Sequence, residues 1–317
     1  LRKLQLRLPQ LRQVQGAGAS LEVALARVER LESRPARLIE GTHFTAHAVP
    51  VDGPAVVTAF LDGVQESHAV AWLGTVPLIH GRVAAVVRAR VDRRLVTWRD
   101  EVRQQEGIYA PWARVSAPDR AVLLECGLET RDVARGDEGP GDVHPLRAMQ
   151  DAANAVTQDR EALERDLARD FCAIGEGTLY LDGGLPSHEV VHASSRVVGV
   201  VKSHQTLYVS EADLPVVFGL RPGERSSAMV VESRRRLPVA TWYLRVRDAG
   251  GHDPFWGLVR VEVPLAHFTA GASAFADERS AWVMAERAPV ALPDGRWDTM
   301  AYGIRNCESY LRAAIGR

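Results

Sequence analysis

The chain predicts a mixed α/β fold, a mixed sheet flanked by helices, and three observations carry that expectation. Short apolar runs of strand length recur from residue 55 to residue 263. A long stretch from Leu146 to Phe171 interrupts them, with Ala152, Ala155, Leu163, Leu167 and Phe171 on one broad helical face. Two of the apolar runs, far apart in sequence, lead into Asp-Gly: Thr58-Ala59-Phe60-Leu61-Asp62-Gly63 and Thr178-Leu179-Tyr180-Leu181-Asp182-Gly183-Gly184. Long helices interleaved with many strands belong to mixed α/β architectures.

In chain order, residues 1–35 read as helix, because Leu21, Val23, Ala24, Ala26, Val28 and Leu31 recur near a 3.6 period with charges between them. That face suits solvent and an oligomer interface equally. Residues 55–62 read as a strand ending at the first Asp-Gly. Residues 78–98, with Val83-Ala84-Ala85-Val86-Val87 and then Val91, Leu95 and Val96, supply one or two more, so an antiparallel meander is expected there. Arg131 to Val143, with Gly136, Gly139, Pro140 and Gly141, is a polar connection. Gly175 and Gly177 stop the long helix, and the strand to Asp182 follows at once. Further strands are expected at 196–202, 206–209, 228–232, 239–247 and 256–263. A last helix runs from Arg305 to Ile315.

At 317 residues the chain can bury a sizeable core. Lys plus Arg is 39 against 40 for Asp plus Glu, which excludes a global positive field and restricts any nucleic-acid contact to a local patch. Lys3 and Lys202 are the lysines; arginine supplies the other cations. Cys126, Cys172 and Cys307 share no metal-type spacing, and an odd number without a secretory segment is expected in a reducing cytoplasm. No segment approaches the roughly 20 apolar residues of a membrane span.

A carboxylate on a buried strand is a rigid platform for a divalent ion. Metal-assisted phosphodiester hydrolysis uses ions about 3.5–4 Å apart, and hard Mg²⁺ or Mn²⁺ prefers carboxylate oxygen. Asp62 and Asp182 are the strand-borne candidates. Glu161 and Glu164, three apart on the preceding helix, share a face and offer a third ligand.

The ordered set resembles the NurA nucleases, partners of the HerA hexameric DNA translocase. The matching pieces are Leu61-Asp62-Gly63, Arg160 to Glu164, Leu181-Asp182-Gly183, Gly199-Val200-Val201-Lys202, Pro222-Gly223-Glu224-Arg225-Ser226, Trp242-Tyr243-Leu244-Arg245-Val246 and Arg260-Val261-Glu262-Val263-Pro264. The resemblance implies an RNase H-like core over 51–317 behind an N-terminal helical extension over 1–50, with a C-terminal helical extension. It also implies a homodimer, Mn²⁺- or Mg²⁺-dependent cleavage of single-stranded DNA, and 5′ end resection with the translocase in DNA repair or anti-phage defence. Asp62 and Asp182 match the family's metal-binding aspartates. Glu164, with Glu161 close behind, matches its helix glutamate, and Lys202 falls in its apolar-Lys motif, beside a phosphate. Val64 and Gly184 stand where the family usually has Ser. Tyr302-Gly303-Ile304 stands where Tyr-Pro precedes a histidine-bearing helix, and Glu308 is the candidate replacement ligand. A catalytically impaired subunit acting as a scaffold on the translocase is the alternative reading.

Four other features compete. His188-Glu189-Val190-Val191-His192 spells a zinc-protease motif, which works only on a helix, with Glu211 as a possible third ligand. His43 and His47 have the same spacing without the glutamate. Trp242, Tyr243, Phe255 and Trp256 suit base stacking or, more simply, burial. Arg234-Arg235-Arg236 suits phosphate or an exposed turn.

Overall fold

The computed structural model describes residues 6–8, 11–13, 32–50, 56–133, 144–233, 236–249, 252–268, 273–288 and 299–315. Its principal elements are β1 (Ala59–Leu73), β2 (Val76–Val91), β3 (Arg94–Ala110), α1 (Ala117–Glu125), α2 (Pro145–Ile174), β4 (Leu179–Asp182), α3 (Glu189–Ala193), β5 (Val197–Val201), α4 (Leu214–Gly219), β6 (Glu224–Ser226), β7 (Met229–Ser233), β8 (Arg236–Arg245), β9 (Leu258–Pro264), α5 (Ser273–Glu286) and α6 (Tyr302–Ile315). The fold is mixed α/β, as expected. It comprises two compact units: Leu1–Glu29, Gly63–Ala85 and Arg103–Leu163 form one, and Arg30–Asp62, Val86–Val102 and Glu164–Arg317 form the other.

In the first unit, the far ends of β1, β2 and β3 form a meander. Leu11–Gln13 pairs antiparallel with the end of β1, and Thr130–Asp132 pairs parallel with β3. Ala71, Leu73, Leu78, Ile108, Trp112 and Leu123 make one apolar cluster, under α1. Ser116 caps α1 by accepting the Asp119 N–H at 3.2 Å. Ile79, Val83 and Tyr109 pack against Ala152 and Val156 of α2, and the Tyr109 hydroxyl donates to Asp159 Oδ2 at 2.6 Å.

In the second unit the strand order is β3-β2-β1-β4-β5-β9-β8-β7. β4 lies parallel to β1 and to β5, whereas β9, β8 and β7 continue antiparallel. A three-strand meander flanked on its first strand by two parallel strands is the order of an RNase H-like core. Asp92 and Arg93, with φ of 46° and 63°, form the tight hairpin between β2 and β3. α2 ends where Gly175 (φ 72°) and Gly177 (φ 105°) leave the helical region, which delivers the chain directly into β4.

Some expectations change. Asp62 does not end a strand: it is the fourth residue of β1, a strand of 15 residues that runs on through Gly63. Gly63 stays in the extended ladder because the pairing of a 15-residue strand outweighs glycine's turn preference. Asp182 does end β4, where Gly183 turns at φ 115°. The helix expected over 1–35 is interrupted by strand pairing at Leu11–Gln13 and Glu32–Ser33, while Leu21 to Leu31 lies outside the described residues. Ala46–Ala48, on the edge of β6, was not foreseen at all.

Within β6, Arg225 is fully buried. It donates to both oxygens of Glu40 at 2.7 Å and to Asp277 Oδ1 at 2.6 Å. Burial alone would raise the Glu40 carboxyl. Arg225, Ser273 and the Ala228 N–H outweigh it and hold the carboxyl at about 2.

Candidate metal centre

The site begins with strand register. Leu61 of β1 lies beside Leu181 of β4, so the next residues, Asp62 and Asp182, are neighbours across a parallel pair. Adjacent strands lie about 4.8 Å apart, and paired residues in a parallel ladder share a face. Asp62 and Asp182 therefore stand side by side on the face that carries Phe60 and Tyr180, whose rings are 5.8 Å apart. The two Asp-Gly segments meet as the sequence predicted.

α6 covers this face. A β-carbon on Gly303 would overlap the Phe60 ring, so only glycine allows the helix so near. The Cys307 thiol donates to the Phe60 carbonyl at 3.4 Å. Burial pushes that thiol well up, and the negative charges of Asp62 and Asp182 both add to the effect. Tyr180 behaves alike: burial raises its hydroxyl well above normal, and Asp182 and Glu286 contribute. Glu286, at the end of α5, is buried and held by both guanidinium nitrogens of Arg90 at 2.9 and 2.8 Å.

Lys202 completes the arrangement. Val200 of β5 lies beside Asp182, and Lys202, two residues on, shares that face. Its Nζ is 2.7 Å from Asp182 Oδ1. The loop after Asp182 is pinned from below. A β-carbon on Gly199 would sit 2.8 Å from the Gly183 carbonyl, and one on Gly184 would sit 2.8 Å from Glu262 Oε2. At Gly184, Glu262 leaves no room for a side chain. Glu262 accepts the Leu185 N–H at 2.9 Å and pairs with Arg260 and Arg236. Burial would raise its carboxyl, but the two arginines outweigh that and hold it below the usual range.

The other candidate acids complete no group of three with them among the described residues. Glu161 is exposed beside Arg160, in the first unit. Glu164 is half-buried on α2, and Glu308 pairs with Arg312 at 2.9 Å one helical turn on. Among the described residues, no three His, Cys, Asp or Glu side chains form a group able to hold a metal. The donor chemistry of Asp62 and Asp182 nevertheless fits a hard ion. Mg²⁺-type sites are commonly one or two carboxylates, completed by water and substrate phosphate. The ammonium on Asp182 already marks the spot as one that holds a cation.

The zinc-protease reading fails on geometry. His188 is the extended N-cap of α3, its Nδ1 accepting the Val190 N–H at 3.2 Å, and the helix has only 5 residues. Its first imidazole is spent on capping, so the pair cannot close on one ion. His47 instead bonds Ser227 Oγ at 3.0 Å. Trp242 and Tyr243 are fully buried, and the Trp242 indole donates to Ser280 at 2.8 Å, which makes them core. Of the basic run, Arg236 is committed to Glu262, and Arg234 and Arg235 lie outside the described residues. Glu286, Arg90 and Glu262 were not singled out in the sequence for these roles; the helix that bears Glu286 carries no strong periodic signal there.

No protein-family model and no curated protein matches the chain. Among solved structures it aligns with the NurA nuclease from Sulfolobus solfataricus at 12% identity and a TM-score of 0.43, over 89% of this chain and 86% of that one. The functional reading below therefore rests on this chain's own residues. Among the described residues, no helix is long and apolar enough to cross a membrane.

Proposed function

We propose that the chain is a metal-dependent deoxyribonuclease of NurA type that cleaves single-stranded DNA. The observation that carries this is the side-by-side placement of Asp62 and Asp182 on neighbouring parallel strands of an RNase H-like sheet, with Lys202 at the same spot. Asp62 and Asp182 would hold Mn²⁺ or Mg²⁺. When bound, the ion supplies an activated water and charge neutralisation at a phosphodiester. Lys202 contributes a compact, mobile positive charge suited to a non-bridging phosphate oxygen. α6 and Phe60 wall one side of the carboxylates and limit water there. A HerA-like translocase as partner, a homodimeric state and a role in end resection, repair or phage defence belong to the same proposal and follow from the sequence resemblance.

The test is cleavage of labelled single-stranded DNA with Mn²⁺, with and without a HerA-type motor. Asp62→Ala and Asp182→Ala are each expected to lose activity by on the order of 100-fold or more. Equal rates in wild type and both variants would remove the carboxylates from the chemistry.

That no third carboxylate is gathered among the described residues favours a second reading, a catalytically impaired subunit that acts as a scaffold on the translocase. In that case wild type and Asp62→Ala are both silent with the motor present, yet both bind it.

A further inference from the structure

We propose that Lys202 is an internal competitor for the divalent ion, so that the metal and a DNA phosphate bind the site cooperatively. This rests on the metal-site reading above. Lys202 Nζ sits 2.7 Å from Asp182 Oδ1, a charge-assisted hydrogen bond between side chains only 22% and 25% exposed. An ion that takes Asp182 must displace that ammonium or share the carboxylate with it. Two cations at one carboxylate repel, and the repulsion is only partly screened at this degree of burial. The lysine therefore weakens metal binding in the absence of DNA.

The same geometry supplies the release. Lys202 lies just past the end of β5 on a flexible four-carbon stem, so its ammonium can leave Asp182 without moving the strand. A phosphate arriving beside Asp182 offers it a new anionic partner. DNA thus removes the competitor from Asp182, and the ion takes that carboxylate without displacing an ammonium. By linkage, whatever factor DNA adds to metal affinity, metal adds to DNA affinity. The site would then load fully only when nucleic acid is present.

The test measures Mn²⁺ binding to the full chain by electron paramagnetic resonance of the free ion. It is run with and without a single-stranded phosphorothioate oligonucleotide, on wild type, Lys202→Met, Lys202→Arg and Asp182→Asn. Lys202→Met keeps the apolar stem and removes the charge. It is expected to bind Mn²⁺ about 10-fold tighter than wild type without DNA, and to lose most of the enhancement that DNA gives wild type. Lys202→Arg keeps a cation and should stay weak. Lys202→Met binding Mn²⁺ no tighter than wild type, while Asp182→Asn loses the ion, would overturn the competitor and leave the metal site standing. Unchanged Mn²⁺ binding in Asp182→Asn would overturn the metal site itself and the competitor with it. A lysine that merely supported the fold would not raise metal affinity on removal.

Discussion

Gly303 shows how one missing methyl sets the site. α6 crosses the sheet where Phe60 and Gly303 meet, and a β-carbon there has nowhere to go. Gly303→Ala should lift the helix or turn the ring, lowering stability by about 1–3 kcal/mol. Urea unfolding checks it. Phe60→Leu in the Gly303→Ala background should recover part of the loss, because the two residues touch and their effects do not add. Cys307, one helical turn on, reports the same contact. Its thiol is buried and held protonated, whereas Cys126 is half-exposed. Iodoacetamide at pH 8 should therefore label Cys126 in the native protein and Cys307 only on unfolding. Burial also pushes the Cys172 thiol up to about 11, so it should react slowly. Prompt labelling of Cys307 would show that α6 does not stay on the sheet.

Among elements, the link between β6, α5 and the segment around Glu40 is an ion cluster, and its energetics have a sign that pH can read. Glu40 is held at about 2, below its ordinary 4.5. It therefore contributes stability above about pH 4.5 and loses it progressively as pH falls towards 2. The shift corresponds to about 3 kcal/mol as an order of magnitude. Urea midpoints measured down that range should fall more steeply for wild type than for Glu40→Gln. Arg225→Ala should be far worse at neutral pH, by about 3–5 kcal/mol, because it strands Glu40 and Asp277 without their cation. The sequence displayed elements unevenly. The strong period of α2 and the apolar runs of β4, β5, β8 and β9 were legible because burial writes a pattern there. α5 was not, since its buried set includes Arg279, Ser280 and Glu286, whose polar groups break the apolar pattern that reveals a helix. The bounds of β1 were misjudged because Asp62-Gly63 reads as a stop wherever a turn is the default meaning of that pair.

For the whole molecule, charge decides how nucleic acid could be held. The formal net charge is −1, so on the proposed function the attraction is local, around Lys202. Fluorescence anisotropy of labelled single-stranded DNA should give a shallow salt dependence, that of about two to four phosphates at a slope near −0.7 each. A slope several times steeper would mean a long basic track that the composition does not suggest. Two of the residues named from the sequence, Asp62 and Asp182, come together because parallel neighbours in register are a property of the sheet. Lys202 joins them through the next strand of that sheet. Glu164 and Glu308 complete no three-acid group with them among the described residues, and a helix period, which places residues on a face, says nothing about how far that face stands from a strand.

Because β1 and β4 are bonded rungs of one ladder, the gap between their aspartates is set by backbone pitch. No hinge can widen or narrow it without tearing hydrogen bonds. Whatever turns such a centre on or off has to act by substitution of one guest for another, in a frame that never changes size.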